Sequence, residues 1–131
     1  MKVLALDYGS ARTGVAVSDP TGTLARPLEV VDNALAPAGL KHLVELAERE
    51  GIEQIVVGLP VTLRGERGAQ AEETEAFVSA LRAVTGVPIE SFDERFTTKL
   101  AEAQASEAAP DAVAAAHLLS NYLEWKSALP R

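Results

Sequence analysis

The stretch VLALDYGSARTGVAVSD, residues 3–19, determines the fold class predicted for this chain. Its first run is apolar and ends in Asp7, and a second β-like run over residues 13–18 follows a short glycine-containing turn. Two such runs joined by a tight turn predict neighbouring antiparallel strands. Because a further turn at residues 19–22 precedes a third strand-like run over residues 24–31, the N-terminal quarter predicts a three-stranded antiparallel meander.

The period of the apolar residues changes after residue 37. A helix is predicted from there to Gly51, because four apolar residues fall at helical spacing: Leu40, Leu43, Val44 and Ala47. A short apolar run over residues 55–57 predicts a buried strand, and a second helical pattern extends over residues 74–81.

The C-terminal part continues the alternation of strands and helices. A fifth strand is predicted over residues 87–92, and helices are predicted from about residue 97 and from Asp111. Strands that alternate with helices typically pair in parallel. The sequence therefore predicts an α/β fold with a mixed five-stranded sheet, in which three antiparallel strands are followed by two parallel ones and helices cover the faces.

Composition restricts the function classes. A chain of 131 residues fits one domain, residues 1–131, and the absence of cysteine excludes disulfides and thiolate metal sites. No apolar run has the length of a signal peptide or membrane span, so a cytoplasmic protein with no membrane contact is predicted. The formal net charge of −7 argues against a simple nucleic-acid-binding protein, because phosphate backbones bind basic surfaces. If the substrate is a nucleic acid, the few cationic side chains would have to be grouped around the acidic site.

Three acids occupy positions at which strand or helix ends would bring them together. Asp7 ends the first strand, Glu94 follows the fifth, and Asp111 begins the last helix. Carboxylates in one cleft repel one another, and divalent cations relieve that repulsion. The pattern therefore predicts a magnesium or manganese site that acts on phosphates.

Each of these acids has an alternative interpretation. Asp7 could be a turn residue, and Asp111 at a helix start interacts favourably with the helix dipole without any metal. Asp93 competes with Glu94, because adjacent strand residues face opposite ways and one of the two would instead cap a helix or pair with a cation. His117 lies on the apolar side of the last predicted helix and is interpreted as a core histidine rather than a catalytic one.

Four blocks of the sequence, in order along nearly the whole chain, resemble one known family. They are LDYGSARTGVAVSD at residues 6–19, VGLP at 57–60, DERFTT at 93–98 and DAVAA at 111–115. The chain resembles the YqgF family, also called RuvX, whose members are described as pre-16S ribosomal RNA nucleases and are similar in fold to the RuvC Holliday junction resolvases. The resemblance implies a ribonuclease H-like fold.

The resemblance also implies a chemistry and a set of site residues. It implies a metal-dependent phosphodiesterase that holds one or two Mg²⁺ or Mn²⁺ ions through Asp7, Glu94 and Asp111. It suggests that other residues shape the site or contact the phosphates of a nucleic acid: Gly9, Arg12, Gly58, Arg95, Thr98 and Lys99. The implied substrates are a ribosomal RNA precursor or, as the alternative, a branched or single-stranded DNA.

One departure from the family pattern bears on the substrate. Members often carry a longer basic segment before the last acid, whereas residues 99–110 contain one lysine and no arginine, and residues 62–65 replace an asparagine-containing turn. Fewer cations predict weak or partner-dependent binding of nucleic acid. A non-catalytic ribosome-assembly factor on the same fold is therefore a third possibility, and the chain is predicted to be a monomer or a homodimer.

Overall fold

The computed structural model of the chain describes residues 1–60, 68–93 and 110–129. These residues form five strands and three helices. The strands are β1 (Val3–Asp7), β2 (Arg12–Ser18), β3 (Ala25–Asp32), β4 (Gln54–Leu59) and β5 (Ile89–Asp93). The helices are α1 (Pro37–Glu50), α2 (Ala69–Arg82) and α3 (Pro110–Ser127).

The strand order is β3-β2-β1-β4-β5, with β1 in the centre. The first three strands pair in antiparallel fashion, and β1 with β4 and β4 with β5 pair in parallel. The mixed five-stranded sheet predicted from the sequence is confirmed. Edge strand β3 contains Pro27 and a register shift opposite Val15 and Ala16, and both features disfavour pairing with a further strand.

The sheet separates two layers of helices. Along β1, the buried residues Leu4 and Leu6 belong to a core that includes residues of α1 and α2, whereas Val3 and Ala5 pack with residues of α3. This alternation follows from the strand period of two. It determines the face on which every residue at the strand ends lies.

The predicted boundaries agree with the structure for α1 and fall short for α2. Helix α1 begins at Pro37, and Gly51 ends it in the left-handed conformation with φ 66°. Helix α2 begins at Ala69, five residues before its predicted start, because its first turn contributes only Ala71 to the buried residues. The helix predicted from about residue 97 lies outside the described residues. Among the residues that are described, no helix is both long and apolar enough to span a membrane.

Candidate active site

Asp7 lies at the C-terminal end of central strand β1. By strand alternation its side chain is on the α3 face, and it is partly buried. Gly58 follows Val57, the last residue of β4 in register with β1, and lies on the same face. The structure therefore places Asp7 and Gly58 together at the end of two parallel strands, the edge at which ligands of α/β sheets bind.

Gly14 brings the first turn of α3 to Asp7. Gly14 is the direct antiparallel partner of Asp7, and a Cβ atom built on it would lie 1.8 Å from the backbone carbonyl oxygen of Asp111. The backbone of α3 thus contacts β2 where a side chain would otherwise lie. Because partners in a sheet are about 5 Å apart, the backbone of Asp111, in the first turn of α3, lies near Asp7.

Gly14→Ala is expected to destabilise the protein by about 1–3 kcal/mol, since the new methyl group must displace helix backbone rather than a flexible side chain. Thermal unfolding measures the loss. The matched control is Gly86→Ala, because a Cβ atom at Gly86 would meet nothing within 4 Å. Equal melting temperatures for the two variants would contradict the close packing of α3 on β2.

Arg12, the first residue of β2, forms an ion pair with Asp111. Its Nε atom lies 3.3 Å from Oδ2 of Asp111, and the two side chains are 66% and 41% exposed. The preceding turn is tight, because a Cβ atom on Gly9 would lie 2.4 Å from the carbonyl oxygen of Arg12. The structure therefore brings together four of the predicted site residues at this end of the sheet, namely Asp7, Gly9, Arg12 and Asp111, with Gly58 beside them.

The remaining predicted site residues lie outside the described part of the chain: Glu94, Arg95, Thr98 and Lys99. Asp93, the alternative to Glu94, is described and ends β5. Its neighbour Phe92 packs in the α3 layer, so Asp93 lies on the opposite face from Asp7. Within residues 1–60, 68–93 and 110–129, no group of three or more histidine, cysteine or acidic residues could hold a metal ion.

The donor chemistry of Asp7 and Asp111 fits a hard divalent cation. Carboxylate oxygens are the ligands that Mg²⁺ and Mn²⁺ prefer. The guanidinium of Arg12 already pairs with one of these carboxylates, that of Asp111. Asp111 also lies in the first turn of α3, so the favourable interaction with the helix dipole accompanies its place in the site.

Tyr8, directly after Asp7, anchors this strand end to α2 on the other face of the sheet. Its ring stacks on Phe77 at a centroid distance of 4.6 Å, and its hydroxyl group donates a hydrogen bond of 2.8 Å to Oε1 of Glu73. Burial, followed by the hydrogen bond to Glu73 and the negative charge of Glu73, raises the pKa of Tyr8 to about 12. This anchor is not recognisable in the sequence, because the apolar spacing of α2 gives no information about Glu73.

The raised pKa of Tyr8 predicts alkaline sensitivity. The folded state keeps its proton to about pH 12, whereas an unfolded tyrosine releases it near pH 10. The stability that Tyr8 contributes is therefore fully present below pH 10 and is lost between pH 10 and pH 12. Melting temperatures of the wild type should fall more steeply over this range than those of Tyr8→Phe. Parallel curves would contradict the assignment, and the comparison cancels the contribution of the second tyrosine, Tyr122.

His117 is partly buried on α3. Its Nε2 atom is buried, however, and has no hydrogen-bond partner among the residues that the structure describes. The same holds for Nδ2 of Asn121, one helical turn further along. His117 is thus a packed residue whose polar atom is not fully satisfied by the described part of the molecule.

The family model RuvX, described as Holliday junction resolvase, matches residues 1–125. A protein of Rubrobacter xylanophilus named "Putative pre-16S rRNA nuclease" is 47% identical over 133 residues, which cover 94% of this chain and 92% of the relative. A protein of Moorella thermoacetica with the same name is 40% identical over 133 residues, covering 95% of both chains.

Two solved structures share the fold at low sequence identity. The RuvC protein of T. thermophilus, in complex with a Holliday junction substrate, matches with a TM-score of 0.67 and 18% identity over 98% of this chain and 96% of RuvC. The fowlpox virus Holliday junction resolvase matches with a TM-score of 0.55 and 10% identity, covering 95% of this chain and 99% of the resolvase. The ribonuclease H-like fold implied by the sequence is therefore confirmed.

Proposed function

Because the chain belongs to the RuvX family of Holliday junction resolvases, we propose that it is a metal-dependent nuclease that hydrolyses phosphodiester bonds in nucleic acid. The observation that carries the proposal is that Asp7 and Asp111 lie near each other on one face of the sheet. They do so because Gly14, the partner of Asp7, has no side chain and allows the backbone of α3 to contact β2. The proposed substrate is the precursor of 16S ribosomal RNA, in keeping with the names of relatives that are 37–47% identical. Such a substrate would place the activity in the cytoplasm.

In this proposal the carboxylates of Asp7, Glu94 and Asp111 hold one or two Mg²⁺ or Mn²⁺ ions. Glu94 is preferred to Asp93 because Asp93 ends β5 on the face opposite Asp7. When bound, the metal would supply an activated water and neutralise charge on the scissile phosphate. No side-chain nucleophile is then required.

The other proposed site residues bind and orient the substrate. Arg12, Arg95 and Lys99 contact backbone phosphates, which positions the nucleic acid without reading its sequence. Gly9 is proposed to shape the site through the tight turn before β2, because the carbonyl oxygen of Arg12 occupies the space that a side chain would need, and Gly58 is proposed to line the cleft beside Asp7. Thr98 is proposed to line the same cleft.

A second candidate substrate is a four-way DNA junction, because the family description is Holliday junction resolvase. Symmetric cutting of a junction requires two active sites and hence a homodimer, whereas processing of an RNA end is possible for a monomer. The two candidates therefore predict different oligomeric states of the active protein.

The test is a panel of labelled substrates incubated with purified protein and Mg²⁺ or Mn²⁺: a 5′ precursor fragment of 16S rRNA, single-stranded DNA and a four-way junction. We expect metal-dependent cleavage of the RNA. Symmetric cutting of the junction alone, by a dimer, would favour the second candidate. Tight binding of the RNA without cleavage at any metal concentration would instead indicate a non-catalytic assembly factor.

A further inference from the structure

The ion pair between Arg12 and Asp111 involves a proposed metal ligand, and it is weak enough for a metal ion to replace Arg12. The Nε to Oδ2 distance is 3.3 Å, but both side chains are substantially exposed to water. Exposed pairs of this kind contribute little to stability, because water and salt screen them. A divalent cation with its doubled charge would therefore compete effectively with Arg12 for Asp111.

A second acid is positioned to receive Arg12. Asp32, the last residue of β3, is the direct antiparallel partner of Arg12, and partners in a sheet direct their side chains to the same face. The backbone N–H of Asn33 donates a hydrogen bond of 3.0 Å to the carbonyl oxygen of Ala11, so the pairing of the two strands continues past this point. Asp32 is exposed.

The face of the sheet on which this pair lies follows from the neighbouring residues. Val31, which precedes Asp32, packs in the core under α1, so Asp32 lies on the α3 side of β3. On β2, Arg12 shares its face with Gly14 and Ala16, and both of those residues contact the α3 layer. Arg12 therefore pairs with Asp111 in the first turn of α3 and shares the α3 face of the sheet with Asp32, its cross-strand partner on the edge strand.

We infer that Arg12 is an internal cation that holds Asp111 in the metal-free protein and transfers to the Asp32 side when a divalent ion binds. The inference rests on the proposed function, because it concerns the same site. Arg12 is then free to contact a nucleic-acid phosphate only after metal has bound. Asp32 is a positioning residue, since it keeps the released guanidinium at the cleft without binding metal or substrate itself.

This exchange couples metal binding to nucleic-acid binding. In the metal-free protein, Arg12 neutralises Asp111 and reduces the repulsion between Asp111 and Asp7. Metal binding releases Arg12 and so adds a phosphate contact, and by reciprocity a nucleic acid that engages Arg12 strengthens metal binding. A phosphate backbone that arrives before the metal would meet a guanidinium whose charge Asp111 already offsets.

Calorimetric titration of Mn²⁺ into the full chain without nucleic acid tests the exchange. Arg12→Gln removes the competing cation and is expected to tighten Mn²⁺ binding roughly two- to five-fold, the range that corresponds to loss of an exposed ion pair. Arg12→Lys keeps the charge and is expected to bind Mn²⁺ nearly as the wild type does. The matched control is Arg26→Gln, because Arg26 is opposite Val17 at the far end of β2 and pairs with Glu50.

Asp32 is tested by a double-mutant cycle on the same measurement. Asp32→Asn is expected to weaken Mn²⁺ binding in the wild type, because Arg12 loses its alternative partner and stays on Asp111. The same change is expected to have a smaller effect in the Arg12→Gln background, and the difference measures the coupling between the two residues.

The possible outcomes separate this inference from the proposed function. If the wild type binds Mn²⁺ and Arg12→Gln binds it no more tightly than Arg26→Gln does, the exchange is overturned and the metal site is retained. Equal effects of Asp32→Asn in both backgrounds would overturn the role of Asp32. If the wild type binds no Mn²⁺ at millimolar concentration, the proposed metal site is wrong, and this inference is wrong with it.

Discussion

Asp7→Asn is expected to reduce metal-dependent cleavage by roughly 100-fold or more, because loss of even an outer partner of a metal ligand costs 10- to 100-fold. Asp7 ends the central strand on the α3 face, where Gly14 brings Asp111 to it. Cleavage of the labelled RNA precursor with Mg²⁺ or Mn²⁺ measures the effect. The expected result follows from the proposed role of Asp7 as the central ligand, whose carboxylate would contribute whether one or two ions bind.

The fold should survive this substitution. Asparagine has nearly the same shape as aspartate, and removing one of several mutually repelling carboxylates is expected to leave the melting temperature unchanged or raise it. The matched control is Glu48→Gln, which makes the same charge change on an exposed position of α1, on the opposite side of the sheet. If Asp7→Asn retained more than a few per cent of the wild-type rate, the assignment of Asp7 as the central ligand would be wrong.

The strands were predictable because the residues on both faces of each strand, and the turns between strands, can be recognised in the sequence. In β1 the residues are apolar on both faces until Asp7, which indicates a central strand covered by helices on each side. Glycine-containing turns separate β1 from β2 and β2 from β3, so the antiparallel pairing of this meander follows from local sequence alone. The position of Asp7 at a strand end was predictable for the same reason.

The contact that brings Asp111 to Asp7 was not predictable from periodicity. A glycine within a strand signals either a bulge or a close approach of another backbone, and the sequence does not say which element approaches. In this structure the element is α3, which is separated from Gly14 by almost one hundred residues of chain, and only tertiary packing brings the two together. The sequence therefore indicates that Gly14 has a structural role, but it does not identify α3 as the element that contacts it.

The pairing of Arg12 with Asp111 was not predictable for a related reason. The sequence places Arg12 in a turn after β1 and suggests a phosphate contact, but the structure shows it as the first residue of β2, 3.3 Å from Asp111. A single sequence does not distinguish a cationic side chain that is available to bind a substrate from one that pairs with a nearby acid. The proximity of Asp32 to Arg12 was not predictable, because it follows from the cross-strand register of β2 and β3 and not from spacing along the chain.

The remaining question in the carboxylate site is whether Asp93 or Glu94 completes it, and the two differ in their expected mutant properties. Phe92 packs against the ring of Tyr122 in the α3 layer, so Asp93 faces the α1 and α2 layer, away from Asp7. Glu94→Gln is therefore expected to remove metal-dependent cleavage, with a loss comparable to that of Asp7→Asn and little change in melting temperature.

Asp93→Asn is expected to show the opposite pattern. A carboxylate at a strand end on the face away from the metal contributes to stability through its local contacts, so its loss should lower the free energy of unfolding by about 1 kcal/mol and leave turnover measurable. Cleavage rates and melting temperatures of both variants, measured in parallel, decide between the two acids. If Asp93→Asn were the inactive variant, the alternation of side chains at the end of β5 would be shifted by one residue. The metal ligands would then be Asp7, Asp93 and Asp111.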